Sequence, residues 1–231
     1  MPLRLPTATI RTQVSVPLRL ADGYVTAARV FSFDGLVDGQ ENLAFGLGDQ
    51  AAGLTSGGSG PAPLVRPHSE CLTGDVFGSQ RCDCGPQLRE AVERIANSGG
   101  FLLYLRQEGR GIGLYAKLDA YALQDTGLDT YEANLALGHS EDERSYLVAA
   151  QMLQALGVSR VALLSNNPDK VRQLQRYGVT VAALVPTGVH LSETNGRYLA
   201  TKARRGAHTF DVGLTTDGRP AIRPPVASRR R

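Results

Sequence analysis

The chain carries three cysteines, Cys71, Cys82 and Cys84, in a C-x10-C-x-C pattern inside RPHSECLTGDVFGSQRCDCG. Thiolates this close in sequence can converge on one zinc ion and leave its fourth tetrahedral position to water. Such an open site is catalytic in character, because the metal lowers the pKa of the bound water towards neutrality. His68, three residues before Cys71, offers a fourth ligand that would close the site, and spacing alone leaves both arrangements open. Three unrelated buried thiols fit less well, since the flanking residues are polar and glycine-rich. An odd number of cysteines confined to one segment also argues against a secreted disulfide framework.

A second constellation is Arg106-Gln107-Glu108-Gly109-Arg110-Gly111-Ile112-Gly113. Its glycines permit close backbone approach and positive φ, and its arginines can take phosphate oxygens two at a time. The spacing matches neither a dinucleotide fingerprint nor a Walker loop, so an anion site and an ordinary glycine-rich turn both remain open. A third cluster, Glu141-Asp142-Glu143-Arg144, stands where helical periodicity begins. Acidic residues in a first helical turn complement the helix dipole, which is the default explanation there.

The elements that must hold these groups follow from periodicity. Alternating or β-rich runs at 9–20, 24–33 and 41–47 are separated by turn-formers such as Ala21-Asp22-Gly23. Residues 48–62 are dense in Gly, Ser and Ala, which favours a mobile surface loop. PLVRPHS reads as a short strand that Pro67 pushes towards a sheet edge. Helical spacing starts at Gln87, with Leu88, Val92 and Ile95 on one face, and Asn97-Ser98-Gly99-Gly100 ends it. A buried strand at 101–106, helices at 114–124 and 143–156, and a strand at 161–165 come next. Asn167-Pro168 then caps a helix ending near Gly178, and VTVAALV returns as a strand. The expected fold is α/β: a mixed sheet with a β-rich N-terminal portion and a C-terminal strand–helix–strand unit, which implies a parallel crossover. One domain is expected over 1–210, followed by a flexible basic tail at 211–231, since periodicity fades near its start.

Charge placement bears on partners. Residues 197–231 hold nine Lys/Arg against two Asp/Glu, a net +7, while the first 196 residues carry a net −4. The basicity therefore belongs to the tail, and a solvated end explains it better than a nucleic-acid surface. No apolar run is long enough for a membrane span, and the start lacks a signal-peptide h-region. Together these point to a soluble cytoplasmic protein with no membrane and no nucleic-acid partner.

Six ordered motifs at matching separations give the chain a family likeness: HSECLTGD, RCDCG followed by Gln87, RQEGRGIGL, AYALQD-x-G-x-DT-x-EAN, Asp142-Glu143-Arg144, and NNP-x-K. With the later N-x2-YL-x-TK, they resemble GTP cyclohydrolase II, over about Arg66 to His208. The resemblance implies hydrolysis of GTP to 2,5-diamino-6-ribosylamino-4(3H)-pyrimidinone 5′-phosphate, formate and pyrophosphate, the first step of riboflavin biosynthesis. It implies that Cys71, Cys82 and Cys84 hold one zinc, and that Mg2+ accompanies the triphosphate. Arg66, Pro67, His68, Ser69 and Glu70 would line the GTP site, with Gln87, Glu108, Gly109, Arg110, Thr130, Ser165 and Lys170. Asp142 takes the family's proton-acceptor role, and Arg144 that of a nucleophile on the α-phosphate. Tyr121 aligns with a tyrosine near the zinc-bound water. A homodimer is implied by the family alone.

A guanidinium with a pKa above 12 is a poor nucleophile, so an electrostatic role for Arg144 is physically easier. Three positions depart from the family's usual pattern: Pro67 for Val, Ser165 for Thr, and Thr187 for Leu. Ser165 keeps its hydroxyl and Pro67 gives up only a backbone donor, so no catalytic group is lost. About 65 residues precede the first motif, too few for the dihydroxybutanone-phosphate synthase domain that many relatives carry, so a monofunctional enzyme is expected. Two rival readings are a paralogue that opens the ring but retains the formyl group, and a zinc-stabilised nucleic-acid module. The intact Tyr121 speaks against the first, and the acidic body against the second.

Overall fold

The computed structural model describes residues 5–49, 60–140, 142–192, 211–214 and 220–223. Most of the glycine-serine stretch, Glu141, the N-x2-YL-x-TK motif and most of the tail lie outside the described residues.

Alternation of side chains builds the sheet. β1 (Thr9–Arg19), β2 (Val25–Asp34) and β3 (Leu43–Leu47) form an antiparallel meander. β3 then pairs antiparallel with β5 (Gly100–Leu105). β4 (Leu64–Ser69) runs parallel to β5, and also to β6 (Arg160–Leu164), which pairs with β7 (Thr180–Val185). The order across the seven strands is β1-β2-β3-β5-β4-β6-β7, the mixed sheet expected from the sequence. Asp211–Leu214 and Pro220–Arg223, β8 and β9, form a separate antiparallel pair.

Among the described residues six helices accompany the strands: α1 (Leu72–Asp75), α2 (Cys84–Ser98), α3 (Leu114–Asp125), α4 (Thr130–Ala136), α5 (Leu147–Ala155) and α6 (Pro168–Arg176). Within β5 the two-residue period divides the core. Phe101, Leu103 and Leu105 join Val65 and the buried side of α5, with Met152 and Leu153, on one face. Leu102 joins Leu64 and the Ala91, Val92 and Ile95 stripe of α2 on the other. Both faces of the parallel strands are thus covered, which is why they read as continuous apolar runs.

Two expectations need correction. β4 is not an edge strand, although it contains Pro67. Its ladder with β6 covers only Leu64 and Val65, while its pairing with β5 extends to Ser69. Pro67 lies past the point where β6 diverges, and its carbonyl accepts a 2.7 Å bond from Lys170 Nζ instead. The missing N–H therefore leaves no ladder bond broken. The helix expected from 143 begins at Leu147, so Asp142 and Glu143 sit in a loop and the dipole explanation for them fails. Two helices went unread, the short α1 and α4; α4 opens with a capping box in which Asp129 accepts from the Tyr131 and Glu132 N–H groups and Glu132 accepts from the Asp129 N–H.

The β4–β5 junction depends on Gly100, whose φ is +155° and where a Cβ would lie 2.0 Å from the Leu64 carbonyl oxygen. Gly100→Ala is expected to cost on the order of 3 kcal/mol through forced backbone separation. That corresponds to a melting temperature lowered by roughly 6–12 °C for a domain of this size. Thermal unfolding of the variant checks this; an unchanged midpoint would contradict it.

Candidate active site

The chain leaves β4 to one neighbour, β5, and returns to β4's other side through β6. Parallel sheets open a crevice at such a reversal, beyond the carboxyl ends of the strands. A cavity of about 420 Å³ lies there. Arg66, His68, Ser69 and Glu70 reach it from β4 and its end, and Gln87 from α2. Glu108, Gly109 and Arg110 come from the turn after β5, and Tyr121 and Thr130 from α3 and α4. Ser165 and Lys170 follow β6, and Asp142 and Arg144 complete the wall with Cys71, Cys82 and Cys84. Of the residues expected from the sequence, only Pro67 does not line the cavity.

The three thiols converge: their sulfur atoms lie within 4.8 Å of one another, and Cys71 Sγ is 3.7 Å from Cys82 Sγ. Gly74 is what leaves room above them, since a Cβ there would stand 2.8 Å from Cys82 Sγ and 3.1 Å from Cys71 Sγ. Hydrogen bonds from Cys82 and Cys84, then the Lys117 ammonium, favour the thiolate of Cys71 against the cost of burial. The hydrogen bond to Cys71, with burial and the Cys71 charge behind it, pushes the Cys82 thiol up to about 11. Three soft sulfur donors, two buried and one half-buried, around uncluttered space suit zinc. His68 is not part of the trio. Its Nε2 lies 3.0–3.1 Å from the two oxygens of Asp75, and its ring stacks on Tyr104 at 5.6 Å between centroids.

Asp75 was not among the expected site residues, although it closes the HSECLTGD motif. Its carboxylate also accepts from the Cys71 N–H at 3.1 Å and the Tyr104 hydroxyl at 2.9 Å, so it fixes the cysteine segment against β5. Lys117 was missed as well. With Ala120, Tyr121 and Gln124 it forms an i, i+3, i+4, i+7 stripe of α3 facing the cavity. A lysine on the buried stripe of a helix was the available signal. Tyr121 is clasped between Arg81, 4.6 Å above its ring, and Lys117; Arg81 in turn pairs with Asp125 one turn on. Burial pushes the Tyr121 hydroxyl up to about 12, so it keeps its proton at neutral pH.

The opposite wall is cationic. Arg66 is buried and donates to the Leu164 carbonyl at 3.1 Å and to Gln87 Oε1 at 2.8 Å. Arg110 lies 4.5 Å from the centre of the Tyr131 ring. Arg144 holds Asp142 with two parallel bonds, Nε to Oδ1 at 2.8 Å and Nη2 to Oδ2 at 2.5 Å. Burial disfavours the Asp142 carboxylate, but the guanidinium outweighs it and keeps the group below the usual range. At the rim, Thr187 is locked to Asn166, whose amide donates to the threonine hydroxyl at 2.8 Å and carbonyl at 3.0 Å.

The class these features define is a mixed α/β protein with a candidate metal site and a cationic wall at one crevice. A model of the GTP cyclohydrolase II family matches residues 12–186. A protein named GTP cyclohydrolase-2 from Vibrio cholerae is 52% identical over 185 residues, 80% of this chain and 90% of that one. Its namesake from Psychromonas ingrahamii is 47% identical over 203 residues, 87% and 96% of the two chains. The riboflavin biosynthesis protein RibBA of Bacillus velezensis is 53% identical over 181 residues, 78% of this chain and 44% of that protein. The chain belongs to the GTP cyclohydrolase II family.

The segment carrying Thr187 is tied to α2 by Glu90, whose carboxylate accepts from the Gly188 N–H at 2.9 Å and lies 2.8 Å from His190 Nε2 and Arg94 Nη1. Burial raises the Glu90 carboxyl, but His190, the Gly188 N–H and Arg94 together bring it down to about 2. A carboxyl lowered in the folded state adds stability above its ordinary value and loses it as pH falls towards the folded one. The stability difference between the unaltered chain and Glu90→Gln should therefore be full near pH 5.5 and shrink progressively from about pH 4.5 to about pH 2. Urea unfolding across that range measures it, and a difference that grows on acidification would contradict the assignment.

Proposed function

We propose that this enzyme hydrolyses GTP to 2,5-diamino-6-ribosylamino-4(3H)-pyrimidinone 5′-phosphate, formate and pyrophosphate, the entry reaction of riboflavin biosynthesis. The observation that carries the reading is that the thiol trio and the Asp142–Arg144 pair share one 420 Å³ cavity. That volume lies within the range of small-molecule sites. Cys71, Cys82 and Cys84 would hold zinc, and the chemistry a bound zinc supplies is a Lewis acid that makes hydrolytic attack available at neutral pH. Mg2+ would travel with the triphosphate, bound largely by phosphate and water.

The chain's own groups divide the remaining work. Arg110, Arg144 and Lys170 supply positive charge for the phosphates. Glu108 and Gln87 present oriented polar atoms to the nucleoside, with Gln87 Oε1 fixed by Arg66. Tyr121 Oη holds its proton beside the thiols and donates rather than accepts. Arg144 acts by charge: its guanidinium is already paired with Asp142, and stabilising the developing charge on the leaving pyrophosphate needs no deprotonation. Asp142 is the base available to take a proton from attacking water. The same reading carries a single domain over 1–210, a homodimer and a cytoplasmic location. Among the described residues, no helix is long and apolar enough to cross a membrane.

The test is to incubate the purified zinc-loaded chain with GTP and magnesium and to assay formate and pyrophosphate beside mass spectrometry of the pyrimidine product. Pyrophosphate without formate would replace this reading by the formyl-retaining reaction. Cys82→Ser should abolish formate release and leave part of the pyrophosphate release, and equal loss of both would overturn the division of labour. Arg144→Lys should keep measurable pyrophosphate release, whereas Arg144→Ala loses about a hundred- to a thousandfold. A kinetically competent covalent adduct on Arg144, trapped by rapid quench with labelled GTP, would overturn the electrostatic role.

A further inference from the structure

Lys117 occupies a position that neither the thiol chemistry nor the nucleotide contacts account for. Its ammonium is buried, 8% exposed, at the floor of the cavity. It donates to Glu108 Oε1 at 2.8 Å, to Thr73 Oγ1 at 3.0 Å and to Cys71 Sγ at 3.2 Å. The stem is accommodated by Gly109, where a Cβ would press to 3.0 Å against the Lys117 Cβ. All three donor directions of the ammonium are thus used, one on a sulfur, one on a carboxylate and one on a hydroxyl.

A bond to Glu108 alone would explain an ordinary buried ion pair. The bond to sulfur does not fit that explanation, because a neutral side chain would serve packing beside a thiol equally well. It has a physical reason if the thiols work as thiolates. Three thiolates around a divalent cation leave one net negative charge in a low-dielectric pocket, and Glu108 adds a second. A single buried cation touching both a sulfur and the carboxylate reduces that excess and fixes the direction of the Cys71 sulfur.

We infer that Lys117 is a positioning residue of the metal centre, a charge-balancing donor to the Cys71 sulfur that joins the thiol trio to the substrate-facing carboxylate Glu108. The inference rests on the zinc reading above. Groups that hold metal ligands from outside typically contribute about 10- to 100-fold in metal affinity. A lysine that merely braced α3 against the Glu108 turn would leave the metal–sulfur bonds unchanged.

The experiment compares the full chain with Lys117→Met, which keeps the length and loses the charge, and with Lys117→Gln, which keeps donors but not the cation. Zinc affinity is measured by chelator competition, and the sulfur-to-metal charge-transfer band by absorption of the cobalt(II)-loaded protein. Both variants are expected to bind zinc about 10- to 100-fold more weakly. Both should also show a charge-transfer band at lower energy, since a thiolate relieved of a cationic donor gives up its electrons more readily. Zinc affinity and band position equal to the unaltered chain in either variant would overturn the inference. Should neither variant fold, a structure of the zinc-loaded unaltered chain decides: Nζ within about 3.5 Å of Cys71 Sγ supports the inference, and a separation well beyond hydrogen-bond reach overturns it. An unaltered chain that binds no zinc would instead remove the metal reading beneath it.

Discussion

Three backbone segments meet at the carboxylate of Glu108, and the geometry of the cavity depends on that meeting. Oε2 accepts the Leu72 N–H at 2.6 Å, next to the first cysteine. Oε1 accepts the N–H of Gly109 at 2.8 Å and the ammonium of Lys117 on α3 at the same distance. The carboxylate is buried, so these bonds offset much of the hydration it gives up. Charge-assisted bonds of this kind are shorter and stronger than neutral ones. The end of β4, the turn after β5 and the helix after that turn are thus set relative to one another by one group.

The turn itself is strained. Arg110 has φ +63°, a left-handed conformation that a residue with a Cβ adopts at a cost of about 1–3 kcal/mol. The surroundings compel it. Its carbonyl accepts the Glu143 N–H at 2.9 Å, and its guanidinium rests on the Tyr131 ring. Gly111 lets the 142–144 loop approach so closely that a Cβ would sit 3.0 Å from the Glu143 carbonyl carbon. Glu108 faces the thiols while Arg110, two residues on, faces the Asp142–Arg144 pair. The strain holds these two chemistries at a fixed spacing across a turn too short to flex independently.

Much of this was legible in the sequence, for identifiable reasons. The cysteine spacing, the glycines around Arg110 and the Asn167-Pro168 cap are local signals, and the structure places each at the cavity or at a helix start. The strands were legible because two-residue alternation and continuous apolar runs reflect burial directly. What could not be read depends on contacts between distant segments. Asp75 gains its importance from His68 and Tyr104, the latter 29 residues away. Lys117 could be noticed as a lysine on the buried stripe of α3, but its sulfur partner appears only once α3 is docked on Cys71. Pro67 suggests an edge because it lacks a ladder donor, whereas the divergence of β6 after Val65, which lets it sit inside the sheet, is encoded in no local pattern. The missed α4 is a different case, since its Asp129…Glu132 capping box is local and was there to be read.

The charges of the cavity show where the fold stops stabilising itself. Arg66, Lys170, Lys117 and the His68–Asp75 pair are all buried, and each has protein partners. Yet Arg66 Nε and His68 Nδ1, on two successive same-face positions of β4, have no hydrogen-bond partner among the described residues. A buried polar atom left unpaired costs about 1–3 kcal/mol. Two such atoms on one strand, both on residues lining the same cavity, are poorly explained as features of folding, because apolar side chains there would be more stable. They are explained by a polar molecule, solvent or substrate, completing the hydrogen bonding when it enters. An interior strand of the sheet therefore carries, in its last four residues, groups whose bonding the described residues leave unfinished.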